Sequence, residues 1–256
     1  MSRSTISSHD LVPASELAAI SGCAPVWQPG LAPACHSEIF APGREASGAA
    51  VALALAGDAL RSARPGETDE AEDRRAILWV QDRAALRLGG RPYRPGLPRA
   101  FQHRLLHVVA EKPQDALFAL EEGLRCRELA AVIGELAGAP RALDFTASRR
   151  LSLAAEKHGV PLWLVRLDAP HDLSSARLRW SVRSAPSAPP RWNGQAPGTP
   201  QWHTELFRAR AHPPGEWTLR DDGYRLAARR IAASHSAAPD PLGLAAPAGG
   251  RSLAAV

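Results

Sequence analysis

One stretch, Ser37 to Leu60, constrains the fold of this chain more than any other part of its 256 residues. It reads as a short apolar strand at Glu38 to Phe40, a Pro/Gly/Ser loop from Ala41 to Gly48, and an alanine-rich helix with apolar residues at helical spacing. A strand, a glycine-containing loop and a helix in this order are typical of a phosphate-binding loop. The stretch therefore predicts an α/β domain arranged around a loop at the end of a strand.

The chemistry of a working phosphate loop is missing here. Such a loop ends in Gly-Lys-Ser/Thr, because the lysine meets the terminal phosphates and the hydroxyl binds Mg²⁺. In this chain Gly48 is followed by Ala49 and Ala50, whose methyl groups supply neither group. We therefore expect no ATPase activity, no bound cofactor and no catalytic or metal site. The vestigial loop consists of Pro42, Gly43, Ser47, Gly48, Ala49 and Ala50.

The net positive charge belongs to one region. The 31 basic residues include only two lysines, Lys112 and Lys157, and neither follows a glycine-rich loop. Residues 174–230 hold ten arginines against four acidic residues, whereas the rest of the chain has 21 basic against 22 acidic residues. This asymmetry indicates a polyanionic partner. A solvated arginine surface is the alternative that stays open.

Strands and helices alternate along the middle of the chain, which predicts a mainly parallel sheet with helices on both faces. Further on, the pattern changes to antiparallel strands. The predicted strands of the first part are Ala76 to Val80, Leu105 to Val109, Leu129 to Leu136 and Pro161 to Arg166, and the helices begin at Pro113 and Thr146. The later strands are Ala176 to Ser184, Trp202 to Arg210 and Glu216 to Arg220.

Length and composition predict a single globular domain at residues 34–231, preceded by an arm at residues 1–33 and followed by a disordered tail at residues 232–256. No apolar run approaches the ~18 residues that a membrane span needs. The polar N-terminus lacks a secretory signal, so we expect a cytoplasmic protein. Cys23, Cys35 and Cys126 lack CxxC spacing, so we interpret them as reduced, buried thiols.

Five sequence blocks resemble the ImuA family, the RecA-like accessory proteins of DNA-damage-induced mutagenesis. The resemblance covers roughly Gly30 to Arg230. The block from Thr146 to Arg166 is the most specific, because it is long and uninterrupted. The blocks are HSEIFAPG from His36, ALFALEEGLRCRELAAVIGEL from Ala116, TASRRLSLAAEKHGVPLWLVR from Thr146, RWSVRSAPSAP from Arg179, and ELFRAR from Glu205 with PGEW from Pro214.

The resemblance implies a RecA-like fold and a non-catalytic role in error-prone translesion synthesis during the SOS response, near the nucleoid. It implies two partners, a Y-family-like polymerase subunit of the ImuB type and an error-prone DNA polymerase III alpha-type subunit. Binding to RecA, self-association and direct contact with DNA are further possibilities. The chain departs from RecA at Gln81-Asp82-Arg83, near the position of the catalytic carboxylate. The DNA-binding segment of RecA has only Leu167 to Ser175 in its place.

Two functional alternatives remain open, a residual ATPase with an atypical loop and a module that binds single-stranded DNA directly. Glu135 lies at the end of a predicted strand, at the place of a metal-directing acid, although helix capping or loop pairing is the favoured interpretation. Asp82 is either a general base or, between Arg83 and Arg87, an ion-pair partner on a loop. His103 with His107 is a poor metal pair across a strand, and Ser148 with Ser152 lacks the motifs of a nucleophile.

The candidate binding residues are basic or aromatic. Arg177, Arg179 and Arg183 alternate with apolar residues, which predicts that they line the exposed face of one strand. Arg149 and Arg150 are expected to face outward at the start of the helix from Thr146. Trp192, beside Arg191 in a proline-rich loop, could stack on a base or anchor in the pocket of a partner, whereas the other tryptophans are expected in the core.

Overall fold

The computed structural model describes residues 35–62, 75–210, 212–222 and 226–231. The predicted arm at residues 1–33 and the predicted tail at residues 232–256 lie outside these ranges. The strands are β1 (His36–Ala41), β2 (Ala76–Asp82), β3 (Leu105–Ala110), β4 (Leu129–Ala137), β5 (Leu162–Leu167), β6 (Leu178–Ala185), β7 (Gln201–Ala209), β8 (Gly215–Asp221) and β9 (Leu226–Ile231). The helices are α1 (Ser47–Ser62), α2 (Arg83–Gly89), α3 (Arg99–Gln102), α4 (Pro113–Arg125) and α5 (Phe145–His158), with a 3₁₀ turn at Arg94–Gly96.

All nine described strands form one sheet in the order β3-β2-β4-β5-β1-β6-β7-β8-β9. The first six strands pair in parallel, with β1 between β5 and β6. From β6 onward the neighbours pair antiparallel. This arrangement confirms the predicted α/β class, its mainly parallel sheet and its antiparallel strands after β6.

Helices cover the two faces of the parallel strands. Helix α1 packs on one face, where Ile39, Val165 and Trp180 belong to the same buried cluster. Helices α4 and α5 pack on the other face, against a second cluster that includes Val132 and Leu164. Because both faces of the middle strands are covered, a strand such as β4 is apolar at nearly every position rather than at alternate ones.

Local sequence explains the ends of α5. Its N-cap is Asp144, whose Oδ1 accepts the backbone N–H of Ala147 at 2.7 Å. Its C-terminus is closed by Gly159 in the left-handed conformation that a glycine after a helix often adopts, with φ at 69°. Three short elements escaped the sequence analysis, α2, α3 and β9, as did the 3₁₀ turn. The interpretation of the cysteines as buried thiols is wrong for Cys126, which is exposed, whereas Cys35 is half-buried.

Two leucines of α5 test the inward face of this helix. Leu151 is 2% exposed within the second cluster, whereas Leu153, on the same helix, is 54% exposed. We expect Leu151→Ala to lower the free energy of unfolding by about 2–5 kcal/mol, because the change removes apolar contacts and leaves a cavity. Leu153→Ala should change it by less than about 0.5 kcal/mol. Urea denaturation of both variants measures the difference, and equal losses would contradict this packing.

Candidate functional site

The vestigial phosphate loop lies where the sequence places it, between β1 and α1. The turn spans residues 42–46, at the carboxyl end of a strand with parallel neighbours on both sides. Its Gly43 N–H donates to Oδ1 of Asp168 at 2.9 Å. Asp168 follows β5 with φ at 49°, a left-handed conformation that aspartate tolerates better than most residues. A carboxylate of the chain itself thus accepts the hydrogen bond of a backbone N–H group of the loop.

Gly48 serves packing at the start of α1. A Cβ atom at this position would lie 2.7 Å from Cβ of Ala41 and 2.8 Å from Cγ1 of Val165. Both distances are too short for real side chains, so the glycine allows α1 to approach the sheet closely. Its presence is therefore explained without any phosphate.

A pocket of about 350 Å³ opens between this loop and the carboxyl ends of β2, β4 and β5. Open α/β sheets bind ligands at this edge. Its charged lining residues are Glu45, Arg91 and Glu135. Much of its wall is apolar, because the alanines that replace lysine and hydroxyl line it. Six of its residues are Ala49, Ala50, Leu53, Trp79, Gln81 and Glu135.

Glu135 is a buried residue in the lining of this pocket. Its Oε1 accepts the indole N–H of Trp79 at 2.7 Å, and its Oε2 accepts the amide of Gln81 at 3.1 Å. Burial raises the pKa of the Glu135 carboxyl, while both hydrogen bonds act in the opposite direction. Gln81 also contacts Nε2 of His107 at 2.8 Å. The acid is thus held by side chains of β2, rather than by the helix cap or loop pairing that the sequence favoured.

Asp82 and the paired histidines do not form a reactive group. Oδ1 of Asp82 accepts the N–H of Ala85 at 2.6 Å and caps α2, and Arg83 pairs with Glu111 instead. The ion-pair interpretation of Asp82 is therefore wrong. Burial raises the pKa of Asp82 and lowers that of His107. Across the described ranges, no three His, Cys, Asp or Glu side chains are grouped to hold a metal ion.

The largest feature that sequence reasoning missed is a buried ion cluster on the α5 side of β1. Glu38 is fully buried, and its Oε2 accepts Nε–H of Arg179 at 2.8 Å. Nη1 of Arg166 lies 3.7 Å from the other carboxylate oxygen, which also accepts the hydroxyl of Ser174 at 2.8 Å. The signal was present as a glutamate and a histidine inside an otherwise apolar central strand, yet we interpreted that strand as simply apolar.

A hydroxyl network extends the cluster to α5. Nδ1 of His36 lies 3.0 Å from Oγ of Ser152, and Ser152 contacts Ser175 at 2.7 Å. Ser148 contacts Ser174 at 2.8 Å. Sequence motifs gave no sign of a histidine beside Ser152. The pair is buried and Nε2 of His36 has no hydrogen-bond partner, so nothing orients the ring as the third member of a catalytic triad would.

The three alternating arginines do not share an exposed face, which corrects the sequence interpretation. Arg179 is 3% exposed because it neutralises Glu38. Arg177 pairs with Glu156 of α5 and is half-buried. Arg183 alone of the three is exposed. The alternation failed because the chain after β5 and the end of α5 cover the first half of β6.

The other candidate binding residues lie apart from one another. Arg149 and Arg150 are exposed on α5, and Nε of Arg150 lies 3.2 Å from a carboxylate oxygen of Glu121. Arg191 and Trp192 are exposed in the loop between β6 and β7, where Trp192 is 81% accessible. The remaining tryptophans within the described ranges are buried, as predicted; they are Trp79, Trp163, Trp180, Trp202 and Trp217.

His36 makes a pH dependence testable. Burial lowers its pKa from 6.5 to about 4. The unfolded chain therefore takes up a proton on this ring below about pH 6.5, while the folded chain resists it until about pH 4. Above pH 6.5 this histidine does not lower the free energy of unfolding. Between pH 6.5 and pH 4 it should lower that free energy by about 3 kcal/mol.

Urea denaturation across this pH range, for the unaltered chain and for His36→Asn, measures that contribution. Between pH 6.5 and pH 4, the free energy of unfolding of the variant should fall by about 3 kcal/mol less than that of the unaltered chain, whatever its stability at neutral pH. A control, His103→Asn, replaces an exposed histidine directly after α3 and should keep the dependence of the unaltered chain. Parallel pH profiles for the unaltered chain and His36→Asn would contradict the assignment.

None of the helices described is both long and apolar enough to span a membrane. No family model matches the chain. The chain is 35% identical over 161 residues to Protein ImuA from Caulobacter vibrioides strain NA1000, and to the same degree to Protein ImuA from strain CB 15. Each match covers 57% of this chain and 60% of the curated relative. The chain is therefore similar to these proteins named ImuA over about three fifths of their length.

Proposed function

We propose that this chain is a non-catalytic, RecA-like accessory protein of damage-induced mutagenesis that acts in error-prone translesion synthesis near the nucleoid. Two kinds of observation support the proposal. Its sequence is similar to proteins named ImuA. Its site has the strand, loop and helix of a phosphate loop without the residues that perform phosphoryl transfer.

The contact between Gly43 and Asp168 carries the non-catalytic part of the proposal. Phosphate binding by such a loop depends on backbone N–H groups that point at the anion. Here the Gly43 N–H is bonded to the Asp168 carboxylate, and a Cβ atom on Gly43 would lie 2.5 Å from its other oxygen. A phosphate at this position would have to displace one negative charge and then remain close to it.

The absence of a lysine makes this repulsion uncompensated. A working loop meets the phosphates with a lysine and Mg²⁺, whereas Ala49 and Ala50 present methyl groups to the pocket. Glu45 and Glu135 add further carboxyl groups to its lining. Oδ1 of Asp82 accepts the N–H of Ala85 in the cap of α2, which disfavours this carboxylate as a general base for water.

The resemblance supplies the partners of this proposal. A Y-family-like polymerase subunit of the ImuB type is the first, and an error-prone DNA polymerase III alpha-type subunit is the second. Exposed anchors that such partners could use are Trp192 with Arg191, and Arg149 with Arg150. Aromatic and arginine side chains are the residues that most often dominate binding energy at protein interfaces. RecA binding and self-association stay secondary possibilities.

A residual ATPase is the second candidate, and the pocket favours it. Its volume of about 350 Å³ is within the range of small-molecule sites, and its position is where α/β sheets bind nucleotides. This candidate needs the pocket to bind ATP without the lysine and the Ser/Thr hydroxyl of a working phosphate loop. Nucleotide binding therefore separates the two candidates.

We expect no saturable binding of a fluorescent ATP analogue up to millimolar concentration, and no hydrolysis above background with or without DNA. Ala49→Lys with Ala50→Thr should not restore turnover, because Gln81-Asp82-Arg83 also departs from the catalytic pattern. Fluorescence titration measures binding of the analogue, and phosphate release measures hydrolysis. DNA-stimulated hydrolysis by the unaltered chain, abolished by Glu135→Gln, would establish the ATPase instead.

A further inference from the structure

Beyond the covered first half of β6, no helix within the described residues packs on the face of strands β6 to β9 that lies opposite α1. In an antiparallel pair, directly opposed residues share a face of the sheet. Arg183 opposes His203, His203 opposes Thr218, and Thr218 opposes Arg229. One row across the four strands therefore begins and ends with arginine.

The next row adds a third arginine. Arg220 of β8 opposes Gln201 of β7 and Ala227 of β9, so it lies on the same face, two residues from Thr218 along its strand. Arg183, Arg220 and Arg229 are all exposed. We call these three residues the arginine face. The register of three strand pairs brings them together, and no spacing along the sequence connects them.

The charges of the arginine face are available for a ligand. Within the described ranges, none of its three guanidinium groups lies within ion-pair distance of a carboxylate; Arg220 donates to the hydroxyl of Thr199 at 3.3 Å. The acidic residues of this face, Glu205 and Glu216, oppose each other in the row on the far side of Arg183. Positive charge is therefore concentrated toward the end of the sheet where β6 runs into the loop of residues 186–200.

An exposed aromatic ring lies in that loop. Trp192 is 81% accessible, and the adjacent Arg191 adds a fourth exposed guanidinium. Neighbouring strands lie about 4.8 Å apart, so Arg183 and Arg229, three strands apart, are separated by roughly 14 Å. This span suits about two phosphate steps of an extended nucleic-acid strand. A charged groove beside an aromatic side chain is how many proteins hold single strands.

We propose that the arginine face binds single-stranded nucleic acid, with Arg183, Arg220 and Arg229 on the phosphates and Trp192 stacked on a base. This site replaces the one that sequence alternation suggested at Arg177 and Arg179. An acidic peptide could meet the same charges, but it has no flat ring for Trp192. The inference goes beyond the proposed accessory function, because it makes DNA contact direct and assigns Trp192, one of the exposed anchors named above, to nucleic acid rather than to a polymerase subunit.

Fluorescence anisotropy with a labelled oligothymidylate and the full chain tests the proposal. For three phosphate contacts, log affinity should fall with log salt at a slope of about −2. Arg183→Gln with Arg220→Gln and Arg229→Gln should lower affinity at least about tenfold at low salt and flatten the slope. A matched control removes three exposed arginines from the other half of the molecule, Arg87→Gln with Arg127→Gln and Arg141→Gln, and should change affinity less than about twofold.

Trp192→Ala provides a second measurement that does not touch the strands. It should weaken binding about fivefold or more and leave the salt slope unchanged, because stacking releases no counterions. Circular dichroism checks that the variants fold. If the triple variant of the arginine face fails to fold, Trp192→Ala decides alone, and its unchanged affinity would overturn the proposal.

Three other results would also overturn it. The first is a lack of binding by the unaltered chain at low salt. The second is an equal loss of affinity in the two triple variants, since binding would then reflect net charge. The third is tighter binding of an oligoglutamate peptide than of the oligonucleotide, which would assign the arginine face to an acidic protein partner.

Discussion

The carboxylate of Glu38, held between two buried guanidinium groups, is the interaction on which the arrangement of this sheet depends. It lies in β1, and its arginine partners come from the two strands that flank β1, Arg166 from β5 and Arg179 from β6. Both guanidinium groups also lie over the ring of Phe40, at 5.6 and 5.0 Å. One buried charge therefore ties together three neighbouring strands.

Energetics explain why this cluster acts as a unit. Removing one partner of a buried ion pair leaves an uncompensated charge and costs about 3–5 kcal/mol, out of a typical total stability of ~5–15 kcal/mol. The cluster also holds the segment between β5 and β6, because Ser174 bonds to Glu38 and Asp172 lies 3.5 Å from Arg166. That segment begins at Asp168, which binds the vestigial loop. The segment between β5 and β6 thus connects the buried ion cluster with the vestigial loop.

Sequence reasoning succeeded where local patterns decide the structure. The order of strands and helices, the start of α4 at Pro113 and the end of α5 at Gly159 follow from periodicity and capping chemistry. It failed where contacts between distant residues decide. Alternation in β6 correctly placed Leu178, Trp180 and Val182 in the core, yet it could not reveal that Arg179 is paired with Glu38, 141 residues earlier in the chain. The arginine face was equally hidden, because it arises only from strand register.

The candidate site likewise has parts that the sequence could predict and parts that it could not. The missing lysine and hydroxyl could be read directly from Ala49 and Ala50, because a motif fixes their positions. The role of Asp168 could not, since it follows a different strand and meets Gly43 only in the folded sheet. The sequence also could not show that Trp79 and Gln81 surround Glu135, because the three residues meet only where β2 and β4 pair in the sheet.

These features describe a domain that has the strand, loop and helix of a phosphate loop without its lysine and hydroxyl, which is the basis of the proposed accessory role. The most direct test is affinity capture of the tagged chain from cells with damaged DNA, with the bound proteins identified by mass spectrometry. The account predicts that a Y-family-like polymerase subunit co-purifies, equally with the unaltered chain and with Glu135→Gln, because no step depends on nucleotide chemistry in the pocket. Two results would contradict it. The first is a loss of polymerase capture in Glu135→Gln that removing nucleotide does not restore. The second is the absence of any polymerase subunit from the captured proteins.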